Sequence, residues 1–270
     1  MSTTSFITSF VGLFQQDAGD ATIQRIEIPL IQRDYAQGRE LTRVRTIREN
    51  FLEVLHDAVT GGDPVGLDFV YGEVADGTLK PLDGQQRLTT LFLLHWYIAS
   101  RSGHDMGSEP WADFSYATRP SARLFCRRLV RFALPSADTP PSAQIKDQPW
   151  YLHVWRHDPT IQSMLVMADA IHERFRKDDL EAAWARLAAP ENPAVSFHVL
   201  PIENMGSTED LYIKMNSRGK PLTEFENFKA RLEKILDGSL RAQEFGNKVD
   251  GVWADVMWPL RGSDDDVDDE

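Results

Sequence analysis

Cysteine is nearly absent from this sequence of 270 residues, and so are the signals of membrane and secreted proteins. The single cysteine, Cys126, excludes an intrachain disulfide and a zinc site built from several cysteines, which is typical of a reducing compartment. No apolar run reaches the roughly 18 residues of a membrane-spanning helix, and the first residues lack the basic start and cleavage site of a secretory signal. We therefore expect a cytoplasmic protein with no membrane partner.

Positive charge is scarce as well. The chain has 29 Lys and Arg against 41 Asp and Glu, a net charge of −12, whereas proteins that coat nucleic acids without sequence preference depend on clustered cations. Six of the acidic residues lie in the terminal DDDVDDE, which predicts an acidic disordered tail at 261–270. Any contact with DNA must then come from a local basic surface.

The composition, with 42% hydrophobic residues, is that of a globular protein. Strand and helix patterns over residues 1–103 predict the first part of a core. Residues 104–193 carry scattered Trp, Pro and Arg among several short helical patterns, which predicts a mainly helical insertion. Residues 194–260 follow with a return strand and helices that complete the core. The expected fold class is α+β, a small mixed sheet with helices.

Local patterns place the polar motifs on this framework. A strand pattern in IQRIEIPLIQRDYAQG ends in a polar turn, and a helix follows it. The stretch LDFVYGEVADGTLKPLDG predicts a hairpin around Asp76-Gly77, a dipeptide that suits a tight primed turn. A second helix is then expected to begin at PLDGQQRLTTLFLLHW and to end near Ser102-Gly103.

The start of that second helix joins polar residues to a pattern that otherwise resembles core. A helix N-terminus has unpaired N–H groups and a partial positive charge, so it favours anions, above all phosphate. Gly84 lets the backbone approach a ligand, Arg87 can bind phosphate oxygens in a bidentate manner, and Gln85 and Gln86 can donate to a phosphate or a base edge. Asp83 suits an N-cap, a metal ligand or a base that orients water. The simpler alternative is an Asp-capped helix whose Arg87 pairs with a carboxylate.

Two further polar clusters also lie beside apolar runs. The first ends the early strand pattern and comprises Gln32, Arg33, Asp34 and Tyr35. The second surrounds Gly219 between two helical patterns and comprises Asn216, Ser217, Arg218 and Lys220. Each cluster alone is typical of a turn. Because all three clusters supply an arginine with an amide neighbour, together they favour one shared anionic ligand.

The three blocks IPLIQRDYAQG, PLDGQQRLTTLFLLHW and LYIKMNSRGKPLTEFENFKA resemble the signature blocks of the domain-of-unknown-function family 262, the N-terminal module of GmrSD-type type IV restriction systems. The resemblance spans residues 24–236, and the run Asp-Gly-Gln-Gln-Arg is its specific centre. It implies a fold similar to ParB and sulfiredoxin, with residues 1–103 as the first part of a ParB-like nucleotide-binding core. It also implies a motif that binds and hydrolyses nucleoside triphosphates.

The resemblance carries over to residues by position. Asp83, Gln86 and Arg87 are implied as catalytic, with Asp83 also the ligand of Mg²⁺ or another divalent cation. The implied nucleotide-binding residues are Gln32, Arg33, Tyr35, Gly84, Gln85, Asn216, Arg218, Gly219 and Lys229. The implied partners are a nucleotide, DNA, an HNH-type nuclease domain or partner chain, and a second copy of the chain. This sequence shows no HNH-type motif, so we expect no strand cleavage from it alone.

Two other patterns have spacings that are found in binding sites. Four arginines recur every fourth residue in RPSARLFCRRLVRF, at Arg119, Arg123, Arg127 and Arg131, so a helix would align them for DNA, although such rows are more often a solvated face. His153 and His157 have helical metal spacing, but a lone pair of this kind is usually surface.

Three functions remain open at this level. The first is a nucleotide-binding and hydrolysing module of a type IV restriction or anti-phage defence system that acts on foreign or modified DNA. The second is a non-catalytic switch or DNA-binding adaptor for a separate nuclease, in which nucleotide occupancy sets assembly or grip on DNA. The third is an interaction protein with a vestigial site.

Overall fold

A computed structural model describes residues 5–15, 17–18, 21–29, 35–39, 42–117 and 119–202. The strands are β1 (Phe6–Thr8), β2 (Asp17–Ala18), β3 (Ala21–Thr22), β4 (Arg25–Ile28), β5 (Val65–Ala75), β6 (Thr78–Asp83), β7 (Phe114–Tyr116) and β8 (Val195–Ile202). The α-helices are α1 (Thr42–Thr60), α2 (Gln85–Ser102), α3 (Pro120–Leu129), α4 (Pro141–Lys146), α5 (Pro159–Phe175) and α6 (Leu180–Leu187). Short 3₁₀ helices cover Gly12–Gln15, Pro110–Ala112 and His153–His157.

Six strands form one mixed sheet in the order β1-β8-β5-β6-β4-β7. The pairs β1 with β8 and β5 with β6 are antiparallel, whereas β5 with β8, β4 with β6 and β4 with β7 are parallel. Strands β2 and β3 pair with each other in a separate small sheet. The predicted α+β class is confirmed.

The hairpin of β5 and β6 turns where the sequence predicts. Asp76 has a φ of 49° and Gly77 a φ of 69°, and positive φ at both central residues is the requirement of a type I′ turn. This turn matches the right-handed twist of the two strands that it joins. The hairpin then delivers the end of β6 directly to the first residue of α2.

Helix α2 is the centre of the core. Every residue from Leu88 to Ser100 is buried, and a helix that is apolar on all sides needs partners on all sides. It packs against α5 and α6, and Phe92 stacks on Phe114 of β7 with 4.6 Å between the ring centroids. The indole nitrogen of Trp96 donates to the carbonyl oxygen of Leu129 over 2.8 Å. Only the two ends of α2 therefore remain to meet a ligand.

Residues 104–193 are mainly helical, as predicted, but they also contribute to the main sheet. Strand β7 lies at its edge beside β4, and α5 and α6 pack against both α1 and α2. These residues therefore share one hydrophobic core with the first part of the chain. The predicted return strand is confirmed as β8, which lies between β1 and β5. The domain division itself stays a prediction.

The structure also addresses two features of the sequence, the lack of a membrane-spanning segment and the presence of a single cysteine. No helix in the described ranges combines the length and apolar character that crossing a membrane requires. Cys126 has a free, fully buried thiol, and this burial raises its pKa. Since the thiolate is the reactive form, Cys126 acts as a core side chain and not as an accessible nucleophile.

One buried histidine on α2 makes the core sensitive to acid. His95 is 1% exposed, and its Nδ1 lies 2.7 Å from the carbonyl oxygen of Leu91, so Nδ1 carries the hydrogen. Its Nε2 is buried and has no hydrogen-bond partner among the described residues. Phe10 and Trp111 surround the ring. Burial lowers the pKa of His95 from 6.5 to about 4.

We expect the melting temperature to fall as the pH drops from 6.5 towards 4. In that window the unfolded chain binds a proton at His95 and the folded chain does not, so the contribution to stability is complete above pH 6.5 and is lost as the pH falls. Between pH 6.5 and 5 the loss should be on the order of 1–2 kcal/mol. His95→Phe should flatten this slope in a thermal scan series, whereas His153→Gln at the surface should not. Equal slopes for wild type and His95→Phe would contradict the assignment.

Candidate functional site

The Asp-Gly-Gln-Gln-Arg motif spans the junction of β6 and α2. Strand β6 ends at Asp83, Gly84 occupies the N-cap position, and α2 begins at Gln85. The predicted helix start is confirmed, as is the end at Ser102 before Gly103. The alternative in which Asp83 caps the helix is wrong, because the N-cap residue is Gly84, which has no side chain to cap with. The first-turn N–H groups, which lack intrahelical acceptors, thus receive no side-chain cap from that position.

Gly84 is required at this junction for two reasons. Its φ of 85° lies in the left-handed region, which costs other residues about 1–2 kcal/mol. A Cβ atom at this position would also lie 2.7 Å from Cγ2 of Val70 on β5. The turn from strand to helix is therefore packed closely against the neighbouring strand, and this contact fixes the direction in which α2 starts.

All five motif residues line a cavity of about 600 Å³, which we call the motif cavity. Its polar lining residues, which we call the polar end, are those of the motif with Gln37 and Asp68. Its large apolar lining residues, which we call the apolar wall, are Ile47, Phe51, Leu67 and Leu82. Small-molecule sites commonly measure roughly 300–1,000 Å³ and combine apolar surface with a few convergent polar groups. The motif cavity has a volume within this range, and its lining includes both apolar and polar residues, as in a small-molecule site.

Arg87 is held at the polar end by acceptors from the hairpin. Its Nη1 lies 3.2 Å from Oδ2 of Asp68, and its Nη2 donates to the carbonyl oxygen of Phe69 and lies 3.6 Å from Oδ2 of Asp83. The arginine side chain is 20% exposed, whereas those of Asp68 and Asp83 are 91% and 57% exposed. The predicted pairing of Arg87 with a carboxylate is present, and two carboxylates share it.

Asp68 is the residue that sequence reasoning missed. The register of the hairpin could have indicated that Asp68 lies near Arg87. Tyr71 pairs with Asp83, which brings the start of β5 beside the end of β6. Irregularities in β5 between Tyr71 and Gly72, and between Leu67 and Val70 opposite β8, hide this proximity from a simple count of residues.

The two glutamines of the motif bond to the protein itself. Nε2 of Gln85 donates to the carbonyl oxygen of Pro81 over 2.9 Å. Oε1 of Gln86 accepts from the backbone N–H of Ala36 at 2.8 Å and of Gln37 at 3.4 Å. Gln86 therefore attaches the first signature block to α2. Its catalytic role stays a prediction, as does the nucleotide contact of Gln85.

Other bonds lock the same block in place. The hydroxyl of Tyr35 lies 2.7 Å from Oγ1 of Thr90, which donates to the side-chain oxygen of Gln37. Arg48 donates from Nη1 to the carbonyl oxygens of Gln37 and Arg39, each over 3.0 Å. Tyr35, predicted to bind the nucleotide, is 1% exposed and does not line the motif cavity; its burial raises its pKa. Gln37, which the sequence did not indicate as a site residue, lines the cavity instead.

Several predicted site residues lie outside the described residues. They are Gln32, Arg33, Asn216, Arg218, Gly219 and Lys229. The first and second blocks do meet, because Gln37 and Arg87 line one cavity. Whether the third block joins them stays a prediction.

Few side chains are candidate ligands for a metal ion. Among the described residues, no three His, Cys, Asp or Glu side chains are close enough together to hold a metal ion by themselves. Asp83 and Asp68 both line the cavity, and Mg²⁺ commonly uses one or two carboxylates with substrate phosphates as its other ligands. The exposed His153 and His157 lie on a 3₁₀ helix, whose three residues per turn put positions four apart on different sides.

The expected row of four arginines does not form. Helix α3 covers only Pro120–Leu129, so Arg119 precedes it and Arg131 follows it. Arg119 is 6% exposed and lies 3.9 Å from the carboxylate of Asp158, because it fills a buried position beside the N-terminus of α5. Arg123 donates to the carbonyl oxygens of Tyr116, the last residue of β7, and of Ala117, which follows it. Arg127 and Arg131 are exposed, and their role in DNA binding stays a prediction.

We expect Gln86→Ala to loosen the first signature block. The change leaves the N–H of Ala36 without its acceptor, at a cost of roughly 1–3 kcal/mol. Hydrogen exchange at Ala36 and Gln37 should accelerate and the melting temperature should fall. Gln86→Glu keeps an acceptor oxygen and should largely preserve both. Unchanged exchange in Gln86→Ala would show that this bond does not hold the block.

Comparison with known families supports the resemblance noted in the sequence. A family model described as GmrSD restriction endonuclease, N-terminal domain, matches residues 13–233. The match covers most of the chain and includes all three signature blocks. No curated protein matches the chain.

Proposed function

Because the chain belongs to the GmrSD restriction endonuclease N-terminal domain family and is thus a component of a type IV restriction system, we propose that its motif cavity binds a nucleoside triphosphate and hydrolyses it. The observation that carries this proposal is the position of Arg87. It stands in the first turn of α2 and lines a cavity of about 600 Å³ with the rest of the motif.

The polar end suits phosphate for a physical reason. The N-terminus of a helix carries about half a positive charge and presents N–H groups without intrahelical acceptors. A glycine at the N-cap leaves room for phosphate oxygens to approach them. Arg87 adds a full charge and a planar set of donors that matches phosphate oxygens. These donors lie at one end of the cavity.

The acidic residues of the polar end fit a divalent cation. Asp68 and Asp83 are exposed carboxylates that lie beside the same guanidinium group, and a triphosphate that approached them without a cation would be repelled. We assign the two as the residues that would hold Mg²⁺ with the phosphates. The ion would supply charge neutralisation for phosphoryl transfer. In this proposal Asp83 would also orient the attacking water.

Arg87→Ala should weaken the binding of a nucleoside triphosphate about tenfold to a hundredfold, since one charged hydrogen-bonding group contributes roughly 1.5–3 kcal/mol. Calorimetry in Mg²⁺ with the full chain measures this, and Arg43→Ala, at an exposed position on α1 outside the cavity, is the control. Asp83→Ala should reduce the rate of phosphate release by a larger factor than it reduces affinity. Wild-type affinity in a folded Arg87→Ala variant would remove the phosphate assignment.

A non-catalytic switch is the second candidate, and the bonding of Gln86 favours it. The side-chain oxygen of Gln86 holds the backbone of the first block, so a ligand that moved the first turn of α2 would also move that block. Clear binding of nucleotide without phosphate release would select the switch. Binding of no nucleotide would indicate a vestigial site.

We further propose that this module acts on foreign or modified DNA together with an HNH-type nuclease domain or partner chain. Contact with DNA would use the exposed Arg127 and Arg131 at the end of α3. The net charge of −12 restricts such contact to a local surface and makes it sensitive to salt.

The double variant Arg127→Ala with Arg131→Ala should weaken DNA binding several-fold at low salt, and added salt should remove most of the difference. The matched control is Arg43→Ala with Arg45→Ala, which makes the same change in net charge at exposed positions of α1. A fluorescence anisotropy titration with duplex DNA compares the two. Equal losses in both variants would mean that the end of α3 has no special role in DNA binding.

A further inference from the structure

The apolar wall of the motif cavity has no role in the binding of phosphate. Ile47 and Phe51 lie one turn apart on α1, so they face the cavity from the same side of the helix. Leu67 from β5 and Leu82 from β6 extend the wall up to the motif, since Leu82 directly precedes Asp83. The wall is thus continuous with the polar end and belongs to the same cavity.

These side chains are partly exposed and partly held by the core. Ile47 is 50% exposed, and Phe51 is partly buried against the hydrophobic core. A ring that is anchored on the core loses little freedom when a ligand covers the remaining surface, because its rotamer is already restricted. Phe51 therefore offers the cavity an aromatic side chain whose freedom is already restricted.

A triphosphate alone would occupy only the polar end, where Arg87, the helix N-terminus and the two carboxylates lie. The rest of the cavity has a different chemistry, and none of its four wall residues has a side-chain group that forms hydrogen bonds. Every nucleobase has a π-face that stacks on aromatic and apolar side chains without reading the base edge. We propose that the apolar wall, and Phe51 above all, binds the base of the nucleoside triphosphate by its face.

This inference rests on the proposed function and narrows it. The substrate class becomes a nucleoside triphosphate in which the base contributes to affinity, and not an inorganic polyphosphate. Phe51 becomes a substrate-binding residue for the base, and Arg87 one for the phosphates. The two contributions are separable, because Phe51 comes from α1 and Arg87 from α2.

The test compares two ligands on the full chain in Mg²⁺, ATP and inorganic tripolyphosphate, by calorimetry. Phe51→Ala should weaken ATP binding about fivefold to a hundredfold, the range found when an aromatic partner of a base is removed. The same change should leave tripolyphosphate affinity within about twofold, since no wall residue contacts phosphate in this arrangement. Val54→Ala is the matched control: Val54 is 46% exposed on the next turn of α1 and does not line the cavity.

Because Phe51 also packs against the core, Phe51→Leu is measured in parallel. It keeps apolar bulk and should lose ATP affinity several-fold while tripolyphosphate affinity is retained, and Phe51→Trp should retain both. Equal effects of Phe51→Leu on the two ligands, or no effect on either, would overturn the base assignment and leave the phosphate site intact. Wild-type protein that binds neither ligand would overturn the proposed function itself.

Discussion

The burial of helix α2 from Leu88 to Ser100 determines where this helix can meet a ligand. A helix with buried residues from Leu88 to Ser100 cannot present a side face to solvent, so its chemistry is confined to its ends. The N-terminal end follows directly from β6 and opens on the motif cavity. The same burial fixes the direction of the helix dipole, because α5, α6 and the sheet hold the helix in place. This confinement explains why polar residues stand at the start of an otherwise apolar helix.

The first turn of α2 also organises the segment that precedes α1. Gln86 accepts from the backbone of Ala36 and Gln37, and Thr90, one turn further on, bonds to the side chains of Tyr35 and Gln37. A Cβ atom at Gly38 would lie 1.8 Å from the carbonyl oxygen of Ser163 on α5, so the segment also fits tightly against a second helix. Two residues of the motif thus differ in function: Gln86 holds the segment before α1 in place beside the motif cavity, and Arg87 supplies a positive charge to the cavity.

The parts of the structure that depend on local chemistry were predictable from the sequence. The hairpin turn follows from Asp76-Gly77, and the start of α2 follows from a glycine before a long apolar pattern. The pairing of Arg87 with Asp68 was not predictable, because it depends on how an irregular strand aligns with its neighbour. The burial of Arg119 was not predictable either. Its repeat of four residues suggested an exposed row, and only the packing of α5 brings Asp158 to it.

In the proposed function, the charges around Arg87 would link an anionic ligand to a cation. Arg87 already contacts two carboxylates, so its charge is offset before a phosphate arrives. A phosphate that bound to the guanidinium group alone would have to displace Asp68 or Asp83 and then lie beside them. In the proposed function a divalent cation would remove this conflict, since Asp68 and Asp83 would hold it while the phosphate took their place on Arg87. Substrate and metal would then bind as one unit, and the site would distinguish a metal-bound triphosphate from other anions in the cell.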